Sequence, residues 1–214
     1  MPSSKEIQLI FSHLKQTHQP TMLEELSHFS PFQLLIATLL SARTKDSTVI
    51  PIVKELFKEY PEPKDFIKLE QKELEKKIYK IGFFRAKAKN IKALSQILIT
   101  KFNNKVPDTL EELTSLPGVG RKTANCILSY VFHQPAIAVD IHVHRISNRL
   151  GWVKTTKPEE TEQVLQKIIP KNQWTEVNRL FVSHGQTICS PINPKCHLCP
   201  IVKYCEYGKT RMST

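Results

Sequence analysis

The chain is organised around one stretch, Leu116-Pro117-Gly118-Val119-Gly120-Arg121-Lys122-Thr123-Ala124. Before it, Asp108 can cap a short helix carrying Leu110 and Leu113. After it, Ala124, Ile127, Leu128 and Val131 recur at helical spacing. Pro117 presets one φ angle, and Gly118 and Gly120 permit positive φ and leave no Cβ between the backbone and a ligand. The spacing predicts a helix–hairpin–helix over residues 109–132. Gly118, Gly120, Arg121 and Thr123 then gather at the start of the second helix, whose backbone N–H groups make a ready anion site that suits a nucleic-acid phosphate. A lone PGVG turn would fit an ordinary hairpin in an all-α core better. The full form LPGVGRKTA favours DNA.

Composition narrows the partner. Lys and Arg outnumber Asp and Glu by 31 to 20, a formal charge of +11 that favours a polyanion over a neutral or acidic ligand. A hydrophobic content of 40% in 214 residues supports a packed core, as one large domain or two small ones. No apolar run approaches the roughly 20 residues of a membrane span. Met1-Pro2-Ser3-Ser4-Lys5-Glu6 lacks the apolar core of a secretion signal, so a cytoplasmic setting is expected, nucleoid-associated in a prokaryote. In a reducing compartment, clustered cysteines point to metal before disulfides.

The rest reads as helix. Ser3 and Glu6 form a possible capping box ahead of the stripe Ile7, Ile10, Phe11 and Leu14, which should dock on a larger body. Ser30-Pro31 starts a helix that is apolar on nearly all sides from Phe32 to Leu40. The polar loop Ser41 to Asp46 follows, with Asp46 a candidate cap for the next helix and Pro51 close behind. Short helices are expected near 65–69 and 72–79. Gly82 then precedes a basic helix from Arg85 to Phe102, whose Arg85, Lys87, Lys89 and Lys92 suit a solvated face with some of them meeting phosphates. Further helices are expected after Asp140, near Pro158 and over 173–188. No strand pattern or repeat stands out.

Near the end, Cys189, Cys196, Cys199 and Cys205 stand as C-x6-C-x2-C-x5-C. A structural zinc site usually shows two short Cys pairs, and here only Cys196 and Cys199 form one. Disulfides would require an oxidising compartment. Together with the hairpin and Val139-Asp140-Ile141-His142-Val143-His144-Arg145, the pattern resembles the endonuclease III family, the iron–sulfur branch of the helix–hairpin–helix DNA glycosylases. The resemblance runs from about Pro31 to Cys205.

The resemblance implies an all-α, two-lobed fold. Residues 24–134 would form a six-helix bundle, and 135–214 a [4Fe–4S] cluster domain with the N-terminal helix of 1–23 packed on it. Duplex DNA carrying a damaged base or an abasic site would lie across the cleft, bound by a monomer. The implied activity is removal of oxidised pyrimidines followed by strand cleavage, without a nucleotide cofactor or a metal in the chemistry. Lys122 would attack C1′ of the damaged nucleotide. A neutral amine is required, and deprotonating a free lysine at pH 7 costs about 4–5 kcal/mol. The helix N-terminus, Arg121 and desolvation by bound substrate all favour that neutral form. The position of Lys122 alone favours a phosphate-binding lysine; the resemblance reverses that. Asp140 would stabilise positive charge on the sugar and help relay the lysine's proton, while also capping the helix that follows. His142 and His144, at i and i+2, cannot share a helix face as a metal pair. The four cysteines would hold the [4Fe–4S] cluster, and Cys126 would sit in the core. Arg43 takes the place of the family's gap-filling glutamine, and Phe83 that of its apolar wedge, although Phe83 would also suit a core. Lys195 is the one basic residue between the first two cysteines, where the family loop touches DNA.

Three other readings compete. A monofunctional mismatch glycosylase is disfavoured by Lys122 and by Ala37, where adenine-removing members carry a glutamate. A non-catalytic DNA-binding module would leave the pairing of Lys122 with Asp140 without a purpose. An iron–sulfur electron carrier would not require the hairpin or the charge.

Overall fold

The computed structural model describes residues 2–212; Met1, with which the expected N-terminal segment begins, and Ser213 and Thr214, which end the expected cluster domain, lie outside it. Among the described residues the secondary structure is helical and contains no strand. The helices are α1 Ser4–Gln16, α2 Met22–Glu25, α3 Pro31–Ser41, α4 Asp46–Glu59, α5 Pro63–Lys68, α6 Gln71–Lys77, α7 Phe84–Phe102, α8 Leu110–Ser115, α9 Arg121–Tyr130, α10 Ile141–Leu150, α11 Pro158–Ile168, α12 Trp174–Thr187 and α13 Glu206–Met212. Short 3-10 turns cover Lys171–Gln173, Cys196–Leu198 and Val202–Tyr204. They divide into two compact units, Met22–Phe132 and Met1–Thr21 with His133–Thr214.

Local chemistry explains several helix starts. Ser30 accepts from the Gln33 N–H while the Gln33 side chain accepts from the Ser30 N–H, and Pro31 sits at the first helical position. Pro63 and Pro158 open α5 and α11 in the same way. Ser3 caps α1 by accepting from Glu6 N–H at 3.2 Å. Two expected caps differ. Thr109, not Asp108, caps α8, accepting from Glu112 N–H and donating to its carboxylate at 2.8 Å. Asp46 is the first residue of α4, and Lys45 is its cap. Pro51 lies inside that helix, where it removes only one hydrogen bond in an early turn.

In the Met22–Phe132 unit, α3 is buried from Leu34 to Leu40 and packs on α4, α7 and α9. Phe66 is its aromatic centre, with Phe32 at 5.5 Å, Tyr60 at 6.2 Å and Phe57 at 6.4 Å between ring centroids. The α7 helix supplies two inward lysines. Lys92 donates to Ile67 O and Leu69 O at the end of α5, and Lys87 donates to Leu40 O and Ala42 O at the end of α3. The solvated or phosphate-facing role expected for these two is therefore corrected. Lys87 occupies the same helical stripe as Ile91, Leu94 and Leu98, which carries it into the core.

The second unit is built on α10, which packs against α11, α12 and α13. The α1 stripe is buried as the spacing required: Ile7, Ile10, Phe11 and Leu14 join one core with Val143, Ile146, Val177, Leu180 and Phe181. Phe11 meets Phe181 edge-on at 6.2 Å and Trp152 at 6.3 Å. We expect Phe11→Ala to lower stability by about 3–5 kcal/mol, the usual cost of emptying a buried aromatic site. Urea denaturation followed by circular dichroism would measure it.

Candidate DNA-repair site

The hairpin is present as a geometric unit. Leu116 ends α8, Val119 N–H donates to Leu116 O at 3.1 Å, and α9 begins at Arg121. Gly118 has a φ of +79°, and a Cβ there would meet the Asn90 side chain at 2.6 Å, so glycine is required twice over. Gly120 differs from expectation: its φ is −86°, which any residue adopts, and nothing lies within 4 Å of its Cβ position. Its contribution is open space at the head of α9, not a special conformation. Arg121 is exposed, Lys122 half-buried and Thr123 buried, so the three diverge within the first turn. Asn125 and Cys126, one turn on, are buried, and Cys126 belongs to the core as expected.

Arg43 and Phe83 are brought together. The Arg43 guanidinium carbon lies 5.4 Å from the Phe83 ring centroid. Both residues have left-handed backbones, with φ of 56° and 59°. Phe83 is 64% exposed, so the alternative of a core phenylalanine is set aside.

Asp140 lies on the other unit, half-buried at the head of α10. One carboxylate oxygen accepts from His142 N–H at 2.9 Å and Val143 N–H at 2.8 Å. The neighbouring histidines bond within their unit: His144 Nδ1 lies 2.7 Å from Thr161 Oγ1, and His142 Nδ1 lies 3.0 Å from Arg145 Nη2.

Cys189, Cys196, Cys199 and Cys205 line one cavity of about 370 Å³, measured out to the solvent at its mouth, with Ile146, Leu150, Ile188, Ile201 and Val202. Burial raises the Cys199 thiol to about 11 and also raises Cys205, with the other sulfurs adding repulsion. Several thiolates in so apolar a space need a positive group among them. Four cysteine sulfurs around one cavity are a donor set that an iron–sulfur cluster could take. Among the described residues, no group of three or more His, Cys, Asp or Glu side chains is arranged to hold one metal ion. Two arginines, not singled out from the sequence, bind this segment. Arg149 Nη1 lies 3.2 Å from Cys189 Sγ and 2.7 Å from Ser190 O, and Nη2 donates to Pro191 O. Arg145 donates to Cys189 O at 2.8 Å and Gly185 O at 3.2 Å. Their i,i+4 spacing on one helix face was the available signal. Lys195 is exposed in the same loop, whose tip carries Ile192 at 81% exposure.

The two hairpin glycines should separate experimentally. Gly118→Ala is expected to cost about 1–2 kcal/mol through its left-handed backbone. Gly120→Ala should leave stability within about 0.5 kcal/mol, because its conformation suits alanine. Thermal melts of the two variants provide the comparison.

Similarity to known proteins agrees with this geometry. Residues 36–171 match the family model described as HhH-GPD superfamily base excision DNA repair protein. The chain is 48% identical over 181 residues to endonuclease III of Thermotoga maritima, covering 85% of each. Its structure resembles a trapped covalent endonuclease III–DNA intermediate, the estranged-adenine complex, with a TM-score of 0.89 and 41% identity over 99% of this chain and 100% of that one. It resembles a non-covalent endonuclease III–DNA complex with a TM-score of 0.90 and 40% identity over the whole of both chains. With the hairpin of 116–120, the family match over most of the chain and identities of 40–48% over 85% or more of both partners, this chain belongs to the endonuclease III family of the HhH-GPD superfamily.

Proposed function

We propose that the chain is a base-excision-repair DNA glycosylase and abasic-site lyase that removes oxidised pyrimidines from duplex DNA. The observation that carries this reading is Lys122, half-buried in the opening turn of α9 directly after the open hairpin. The similarity to a trapped endonuclease III–DNA covalent intermediate supports an amine nucleophile.

Gly120 leaves the head of α9 open to a backbone phosphate, with Gly118 shaping the turn and Arg121 and Thr123 beside it. The neutral Lys122 amine attacks C1′, its N–C1′ bond forming as the bond from C1′ to the base breaks and the base leaves with a proton. Loss of the ring C1′–O bond yields a Schiff base. Removal of a C2′ proton then expels the 3′ phosphate and cuts the strand. Asp140, held rigidly by two backbone N–H groups, offers a carboxylate to the positive charge on the sugar and to the proton leaving Lys122. Arg43 and Phe83 occupy the gap left by the extruded nucleotide, and Lys195 sits in the loop that would follow the backbone. Cys189, Cys196, Cys199 and Cys205 would hold a [4Fe–4S] cluster, which serves to tie down the C-terminal segment. In domain terms, residues 24–134 are the bundle that presents Lys122, and 135–214 with 1–23 form the cluster domain. The protein acts as a monomer in the cytoplasm; among the described residues no helix is long and apolar enough to cross a membrane.

Borohydride trapping tests the nucleophile. A duplex with one thymine glycol or abasic site should give a covalent adduct with wild type and none with Lys122→Gln. Base release without any adduct would mean a monofunctional glycosylase, and binding without base release a non-catalytic module. Asp140→Asn separates charge from capping. An asparagine caps as well as an aspartate, so stability should hold within about 0.5 kcal/mol. Excision should nevertheless fall about a hundredfold. Cys199→Ser should abolish visible absorption and bound iron; stoichiometric zinc in the wild type would overturn the cluster assignment.

A further inference from the structure

The segment after α3 and the segment before α7 are locked together by one buried ammonium. The last carbonyls of a helix have no partner within it. Lys87 Nζ donates to two of those ending α3, Leu40 O at 2.9 Å and Ala42 O at 2.6 Å. Its own backbone N–H donates to Phe83 O at 3.1 Å. The side chain is only 7% exposed. Burial lowers its pKa to about 8, which still leaves a charged donor at neutral pH. One further tie joins the same segments, and their backbones approach closely. Gly82 N–H donates to Thr44 Oγ1 at 3.0 Å, and a Cβ on Gly82 would stand 3.0 Å from Arg43 O.

These ties hold two residues in costly states. Arg43 directly follows Ala42, and Phe83 directly follows Gly82. Each is left-handed, which costs a non-glycine residue about 1–2 kcal/mol. Phe83 also keeps its ring in solvent, stacked under Arg43. Stability alone does not account for an exposed, strained phenylalanine; such outliers persist where the surroundings over-determine them.

We propose that Lys87 is a positioning residue for base extrusion, fixing Ala42-Arg43 against Gly82-Phe83 so that Arg43 and Phe83 enter the duplex as one preassembled probe. This rests on the glycosylase reading above. A probe ordered before binding loses no further conformational freedom when it replaces a stacked nucleotide. Lys87 touches neither the substrate nor Lys122's chemistry in this scheme; its ammonium points inward, to the end of α3.

The test exploits a difference between substrates. A thymine glycol must be drawn out of the stack, whereas a preformed abasic site has no base to extrude. Single-turnover excision and nicking are measured on both duplexes for wild type, Lys87→Met and Thr44→Val. Lys87→Met should lose about tenfold to a hundredfold on thymine glycol, the scale of a misplaced reacting geometry. It should stay within about threefold of wild type on the abasic duplex, where only the sugar must reach Lys122. Thr44→Val removes only the acceptor of Gly82 N–H and should show the same selective loss in a smaller degree. It decides the matter if circular dichroism shows Lys87→Met unfolded. Parallel losses on both substrates, or no loss on either, would overturn the proposal. Wild type inert on both duplexes would instead overturn the glycosylase reading on which it stands.

Discussion

A chain built from short helices has one recurring constraint: every helix end leaves backbone groups without partners, and each must be satisfied or left to water or a ligand. In this protein side chains do part of that accounting, two of them from a distant helix. Lys87 and Lys92 reach from α7 to the carbonyl ends of α3 and α5. Ser30, Thr109 and Asp140 close the N-terminal ends of their own helices. The head of α9, like those of α4, α6, α7 and α12, has no side-chain cap. Gly120 has no side chain to cap it and open space around its Cβ position. The proposed function uses the open space at this helix start as its anion site.

The second unit uses the same principle around the cysteines. The α10 helix begins at the capping Asp140, and its Arg145 and Arg149 reach the carbonyls of Gly185, Cys189, Ser190 and Pro191. One ten-residue helix therefore holds a carboxylate at its head and gathers an irregular segment along its flank. That segment has prolines at 191, 194 and 200, and its backbone bonds include those of short turns, such as Cys199 N–H to Cys196 O and Cys205 N–H to Val202 O. Arginines from outside the segment add bonds to its carbonyls.

Two residues placed at the proposed site combine a left-handed backbone with exposure. Arg43 and Phe83 are bulky, left-handed and solvent-facing, yet their neighbours Leu40 and Lys87 are buried. A region can hold two unfavourable conformations only when a well-packed frame surrounds it, which α3 and α7 supply.

The all-helical class, the α1 stripe, the Ser30-Pro31 start, the hairpin and the cysteine spacing were legible from residues in order, because each depends on contacts within a turn or two or on a motif of fixed spacing. Family identity followed from the same local patterns. The cap of α8 was misplaced by one residue because Asp108 and Thr109 are both competent caps, and the choice between them depends on where the chain enters the helix. Gly120 was assigned a freedom it does not use, since a glycine leaves no local sign of which φ it takes. The inward direction of Lys87 and Lys92, the stacking of Arg43 on Phe83 and the reach of Arg145 and Arg149 were decided by tertiary structure alone. Each joins groups distant in sequence, and a long cationic side chain commits to solvent, phosphate or a helix end only when packing brings one of them within reach.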